Sequence, residues 1–413
     1  RSSAASDVYK RQYIYTIMKI LSNKILTLFF INSFFVNYSQ FTNVSNQIKS
    51  FVIGKNYNNK DVFNLNESIE FSFDELDEER KNYYYTIDHF DYNWKLSNVQ
   101  KSYYIDGFDE IKIKNISYSF NTLQSYTSYK FSIPNDKIVI KETGNYKVSI
   151  YDSIGNKVLE KRFTIVNNKL PVQIDVSRTK DLENYQTNQK ISLNVLCKNC
   201  SEYYNNNSEI KIIIRKNDNW NDIVIIENPK FLTSNGAVYD DIIFKGGNEF
   251  YNFDISEIRS NNYRIKNWTV NNLYEANLMI DKFDSSEIYN YNPDINGNFV
   301  IQSSNQINGV NELDYVRVNF QFENKNLNGT NEVYLQGMFN NYYKDNNYKL
   351  NYDHNKNLFS GSFLFKQGFY NYKFASKSTL PDNELQTLEN DFWETENLYS
   401  IFIYFKKNNE MFF

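Results

Sequence analysis

Residues 146–166 read YKVSIYDSIGNKVLEKRFTIV. Tyr146, Val148 and Ile150 alternate with Lys147, Ser149 and Tyr151, the period of two expected of a half-buried strand. Asp152-Ser153-Ile154-Gly155-Asn156 has turn composition, and Val158, Phe163 and Ile165 then supply apolar residues in Lys157–Val166. The stretch predicts a β-hairpin with a loop of a few residues.

The same signal recurs along the chain. Tyr83-Tyr84-Tyr85-Thr86-Ile87-Asp88-His89 consists of β-formers, and Ile210–Arg215, Asn217-Asp218-Asn219 and Ile223–Ile226 give a second hairpin. Val316, Val318, Phe320 and Phe322 alternate with Arg317, Asn319 and Gln321. Phe363-Leu364-Phe365, Gln367-Gly368 and Tyr370–Phe374 repeat the hairpin pattern, and Ser400–Phe405 gives a last strand. Only Asp74–Arg80 suggests a helical turn, and no apolar 3.6-residue period is sustained. Many short strands with polar turns predict an all-β protein of tandem β-sandwich, immunoglobulin-like domains. Asn167-Asn168-Lys169-Leu170-Pro171 and the polar stretch Ser303–Asn311 divide the chain into expected domains near 41–168, 169–305 and 306–413.

The composition agrees. Of 413 residues, 35 are Tyr, 33 Phe and 4 Trp, against 13 Gly and 5 Pro, so the aromatics belong to structured segments. The abundant Asn and Lys fit an A- and T-rich genome. A net charge of −4 with interspersed signs removes the electrostatic basis for nucleic-acid binding. Residues 1–17 (RSSAASDVYKRQYIYTI) read as translated adapter or assembly read-through. Residues 18–39 have the outline of a signal peptide with a short helix: Lys19 and Lys24, then the apolar run Ile25–Val36, then Ser39. The run is short for a membrane span, and an exported protein that is not membrane-embedded is expected.

Catalytic chemistry has little to work with. His89 and His354 are the two histidines and lie far apart in sequence, and no P-loop, dinucleotide-binding glycine run, HExxH or GxSxG occurs. No metal or other cofactor is expected. The acids Asp74, Glu75, Asp77, Glu78 and Glu79 read as a solvated turn. Cys197-Lys198-Asn199-Cys200 is open to three readings: half a zinc site, a redox dithiol or a local disulfide. Because it ends a strand and enters a polar loop, a Cys197–Cys200 disulfide in an oxidising compartment is the expectation.

From Phe71 to Pro134 the chain resembles the first domain of the plug protein family of the Bacteroidota type IX secretion system. The matching elements are Phe73–Leu76, Tyr83–Thr86, His89–Lys95, Tyr104–Phe108, Ser119–Thr122 and Tyr126-Thr127-x-Tyr129 leading to Pro134-Asn135. Gly144-Asn145-Tyr146, Gly246–Phe250, Asp294–Gly297 and Trp393–Asn397 follow in the family's order, so the resemblance spans essentially the whole mature chain. Departures are Phe90 and Tyr92, and Leu96-Ser97 without the usual Pro. The resemblance implies a non-catalytic periplasmic protein at the inner face of the outer membrane, monomeric when free, whose partner is the type IX translocon barrel. It would close that barrel's periplasmic opening when no cargo is engaged. Tyr83, Tyr85, Trp94, Tyr104, Phe108 and Trp393 are the candidate partner contacts.

A second likeness lies in Val333–Asn340 through Phe374, which looks like an early-set immunoglobulin-type module related to starch- and glycogen-binding domains. Asn341-Tyr342 stands where those modules commonly carry Trp. A polysaccharide-binding accessory protein using Tyr342 or Tyr343 is therefore the alternative, and a β-sandwich glycoside hydrolase a third possibility.

Overall fold

A computed structural model describes residues 47–77, 79–167, 170–196, 204, 208–303, 310–377 and 385–407. The first lobe contains β1 (Ile48–Ile53), β2 (Val62–Asn64), β3 (Ile69–Glu75), β4 (Tyr84–Phe90), the single helical turn α1 (Lys101–Tyr104), β5 (Ile105–Gly107), β6 (Ile111–Lys112), β7 (Asn115–Tyr118), β8 (Thr127–Ile133), β9 (Ile138–Ile140), β10 (Gly144–Tyr151) and β11 (Lys157–Val166). Two sheets, β1-β3-β8-β7 and β2-β11-β10-β4-β6, enclose one core that includes Phe71, Phe73, Tyr85, Tyr129, Tyr146 and Phe163. Stacked and edge-to-face rings bind the two sheets, as in Phe71–Phe163 at 5.5 Å and Tyr85–Phe131 at 4.1 Å.

The hairpin of residues 146–166 forms as its pattern predicts, with Tyr146 opposite Phe163 and Val148 opposite Lys161. Its burial differs from the half-buried expectation. Asn145, Lys147 and Ser149 are buried along with Tyr146, Val148 and Ile150, because the outer face of β10 is covered by other parts of the chain. Residues 76–80 are not helical among the described positions, and Asp74 and Glu75 close β3 as buried residues. The acidic run is thus only partly a solvated turn.

The middle lobe contains β12 (Val172–Arg178), β13 (Asn188–Leu196), β14 (Ser208–Lys216), β15 (Ile223–Ile226), β16 (Phe231–Thr233) and β17 (Gly236–Lys245). One sheet runs β12-β13-β17-β16. The third lobe contains β18 (Tyr251–Asp254), β19 (Ile265–Val270), β20 (Tyr274–Leu278), β21 (Asp281–Lys282), β22 (Phe299–Ile301), β23 (Tyr315–Glu323), β24 (Val333–Gln336), β25 (Lys349–Asp353), β26 (Leu358–Lys366), β27 (Gly368–Lys377) and β28 (Leu385–Thr387). The last strand, β29 (Tyr399–Lys407), leaves the third lobe and pairs antiparallel with β14, so the opposing middle sheet is β15-β14-β29.

The expected hairpin of Phe363–Phe374 does not form. β26 pairs with β23 and β25, whereas β27 pairs with β18, β22, β24 and β28. Gln367 alone separates the two strands, too short a link for a hairpin between them, and the chain passes from one side of the third core to the other. Rings from both strands, including Phe363, Phe365, Tyr370 and Tyr372, meet inside that core.

Candidate functional site

The sheet β15-β14-β29 has apolar residues on both faces. Ile212 and Ile214 point into the middle core with Leu193, Tyr239 and Phe244. Ile213 points the other way and joins Phe402, Tyr404, Trp220 and Trp94 in a separate cluster, against which Val62, Phe90 and Val166 of the first lobe pack. An unbroken Ile212–Ile214 run suits a strand covered on both sides. β14 and β29 are therefore an internal layer between the middle core and the first lobe.

Arg215 follows Ile213 on the same face, and its side chain is wholly buried. It forms a two-point pair with Asp61 of the first lobe, and Nη2 donates to Asp218 Oδ1 at 2.6 Å. The guanidinium lies 4.7 Å from the Trp220 ring, whose Nε1 donates to Asp61 at 3.3 Å. Burial pushes the Asp218 carboxyl up, opposed by Arg215. Trp220 meets Trp94 edge-on at 4.9 Å. Trp94 holds φ at +59°, an uncommon conformation for a bulky residue, within a turn where Asp91 accepts from Asn93 N and Lys95 N.

A second buried pair joins the first and third lobes. Lys366 Nζ donates to Asp74 Oδ2 at 2.6 Å, Tyr315 OH donates to the same oxygen at 2.8 Å, and the ammonium stands 4.1 Å from the Tyr126 ring. Burial pulls the Lys366 ammonium down, and Asp74 opposes that shift. Around it, Leu123 N donates to Asp314 and Tyr126 OH to the Leu313 carbonyl. Tyr342 OH donates to the Asn217 carbonyl at 3.2 Å and ties the third lobe to the middle one.

Where the lobes meet lies a cavity of about 30 Å³, enough for one water, walled by Asp61, Lys147, Lys161, Asp218, Trp220 and Asn341 among others. Lys161 donates to the Phe51 carbonyl and to Asn59 Oδ1, and burial pulls its ammonium down to about 8. Charges of both signs neutralise one another here, and the arrangement fixes three segments rather than activating a nucleophile.

The expected contact residues have separate fates. Tyr83, Tyr85 and Tyr104 are core residues, because strand parity and the α1 turn aim them between the first lobe's sheets. Tyr83 donates to Glu75, and Tyr104 packs on His89 and Tyr146. Trp94 belongs to the internal junction. Trp393 is half-buried beneath the Arg178 guanidinium at 4.8 Å, and Phe108 alone of the six is solvent-facing, at 65% exposure. Cys197 and Cys200 lie outside the described residues.

Burial lowers His89 to about 4, so its imidazole is neutral at pH 7, and His354 rests against the Tyr352 ring in a surface turn. No group of three or more metal-ligating side chains occurs among the described residues. Of the two candidate glycan contacts, Tyr342 is buried and Tyr343 half-buried. A groove of about 430 Å³ crosses the third lobe's outer sheet face. In its wall, Asn319 donates to Asn277 and Ser362 donates to Asn319, so these polar groups largely satisfy one another.

The charged anchors Asp61, Asp74, Arg215 and Lys366 were not among the expected site residues. Arg215 and Lys366 carry a sequence sign, a charge directly after a run of β-formers, as in Ile212-Ile213-Ile214-Arg215 and Phe363-Leu364-Phe365-Lys366, whereas Asp61 follows a polar stretch.

Comparison with known proteins places this geometry in context. The family described as type 9 secretion system plug protein 1st domain matches residues 47–167. No curated protein matches the chain. Among solved structures, a hypothetical protein from Parabacteroides merdae ATCC 43184 is similar at 25% identity and a TM-score of 0.82, over 90% of this chain and 96% of that one.

Proposed function

We propose, from the match of residues 47–167 to the type 9 secretion system plug protein 1st domain, that the chain is a non-catalytic periplasmic plug. It binds the periplasmic opening of the outer-membrane translocon barrel and closes it while no cargo is engaged. Export rests on the signal-like segment 18–39, and the lobes are read as immunoglobulin-like sandwiches.

The family match carries the proposal, and the junction supports it. A plug resists passage only if its parts do not hinge apart, and relative motion is the default between lobes joined by small polar contacts. Here the contacts are buried ion pairs, a tryptophan pair and a strand, β29, that belongs by sequence to one end of the chain and by pairing to its middle. Release then requires a cargo or partner that binds the closed and open states with different affinity. The glycan-binding alternative is the less supported reading, because Tyr342, one of its two candidate platform residues, is buried against the middle lobe.

The test is affinity purification of a tagged chain from its native envelope under mild detergent. The proposal expects a very large outer-membrane barrel to co-purify in a stable complex. Repeated recovery of the chain without any such barrel overturns it.

A further inference from the structure

The buried pair of Lys366 and Asp74 leaves particular atoms without partners. Lys366 ends β26 and Asp74 lies near the end of β3, and both side chains are closed off from solvent. An ammonium carries three N–H donors. Among the described residues, Lys366 Nζ reaches one acceptor, Asp74 Oδ2 at 2.6 Å. Otherwise it faces the rings of Tyr126, Tyr57 and Tyr315, at 4.1, 5.5 and 5.8 Å. Asp74 Oδ2 also accepts from Tyr315 OH at 2.8 Å, and Ser50 Oγ stands 2.7 Å from that hydroxyl. Asp74 Oδ1, by contrast, is buried with no hydrogen-bond partner. A buried ion pair is favourable only where its remaining protons and lone pairs are satisfied, and this one leaves an oxygen and two N–H groups over.

Those surplus atoms are the atoms of one water. Taking Oδ1 and two hydrogens of Nζ from the pair leaves a secondary amide. Its oxygen is Oδ2, already held by Tyr315, and its one N–H lies among the tyrosine rings, which accept it weakly. We propose that Lys366 and Asp74 condense to an amide that cross-links the first lobe to the third. The other buried pairs lack these features. Both oxygens of Asp61 accept from Arg215, and a guanidinium is no nucleophile. Both oxygens of Glu160 are engaged as well, by Lys147 and Lys157.

The step needs no oxidant and no co-reactant. Within the ring of tyrosines a proton of the ammonium passes to Oδ1, giving a neutral amine beside a neutral acid. Burial, which pulls the Lys366 ammonium down against the opposing Asp74 charge, favours that form. Nζ then attacks Asp74 Cγ, and Tyr315 OH donates to Oδ2 as charge gathers there. A second proton passes from Nζ to Oδ1. Tyr57 OH, buried in the same cluster without a hydrogen-bond partner, is available to relay it. The Cγ–Nζ bond has formed, the Cγ–Oδ1 bond breaks, and water leaves. The product ties together residues 292 positions apart in sequence. This inference does not rest on the plug reading.

The test is the intact mass of the denatured full chain beside that of its Lys366→Arg variant, so that any processing of the chain ends is common to both. Relative to its own sequence, the parent should be lighter than the variant by one water. Digestion should yield a branched peptide joining the Asp74 fragment to the Lys366 fragment. Tyr315→Phe keeps the ring and removes the hydroxyl, and in a time course after cell-free synthesis it should slow the appearance of the branched species about a hundredfold. A folded parent that keeps its full sequence mass overturns the proposal. So does a loss of water that maps to other residues or persists in Lys366→Arg, and an unchanged rate in Tyr315→Phe overturns the chemistry assigned to the cluster. Should Lys366→Arg fail to fold, the parent's mass and the branched peptide decide the question by themselves.

Discussion

Arg215 and Ile174 lie in the same lobe, and their exposures are the reverse of what their chemistry suggests. The arginine is wholly buried, whereas the isoleucine is 43% exposed. Arg215 sits on an internal layer with the first lobe packed over it, whereas Ile174 lies on β12, the edge strand of the sheet β12-β13-β17-β16. Burial in this fold is set by how many layers cover a strand, and residue type follows only where a layer is present. The sealed side makes one body from several lobes.

The largest expected effect is at the sealed side. Arg215→Ala leaves Asp61 buried and Asp218 half-buried without their cation, and about 3–5 kcal/mol of stability should be lost in urea unfolding. A loss below about 1 kcal/mol would mean that water enters the junction and that the contrast with Ile174 is shallow. Lys366→Met should cost about 3 kcal/mol for the same reason, and adding Asp74→Asn should recover part of it, because the uncompensated carboxylate is then gone.

Lys161 sharpens the comparison through pH. Its ammonium is lowered from an ordinary 10.5 to about 8, so between those values the unfolded chain holds a proton that the folded chain has lost. Stability should therefore rise as pH increases from about 8, with a slope of up to ~1.4 kcal/mol per pH unit. Lys161→Met should flatten that rise in unfolding curves taken from about pH 7.5 to about pH 9.5. An unchanged slope would place the ammonium in water. The smallest effect belongs to the exposed edge strand: Ile174→Thr should change stability by less than about 0.5 kcal/mol.

Much of the strand pattern was legible because burial on one face leaves a period of two, as in Tyr146, Val148 and Ile150. The junction was less so. Lys147 and Ser149 read as solvent-facing, and nothing local in residues 145–149 reveals that Tyr404 reaches Asn145 from the far end of the chain. The same holds for β29 beside β14, a pairing between segments almost two hundred residues apart in sequence, as Arg215 with Ser400. Phe363–Phe374 misled for a related reason. Alternation and a Gln-Gly step describe a hairpin and a crossover equally well, and only the partners of β26 and β27 separate them. Tyr83 and Tyr85, candidate partner contacts, lie in the first lobe's core, because neither composition nor a resemblance says which face a ring occupies.

The most direct test of the sealed junction is whether the lobes unfold together. In a Trp268→Phe, Trp393→Phe background, the remaining tryptophans Trp94 and Trp220 report the junction by fluorescence, while far-ultraviolet circular dichroism reports all strands. If the buried ion pairs and the central sheet make one body, the two signals should give a single coincident urea transition. A fluorescence transition that precedes the loss of strand signal would show the lobes parting before they unfold, and would contradict the account.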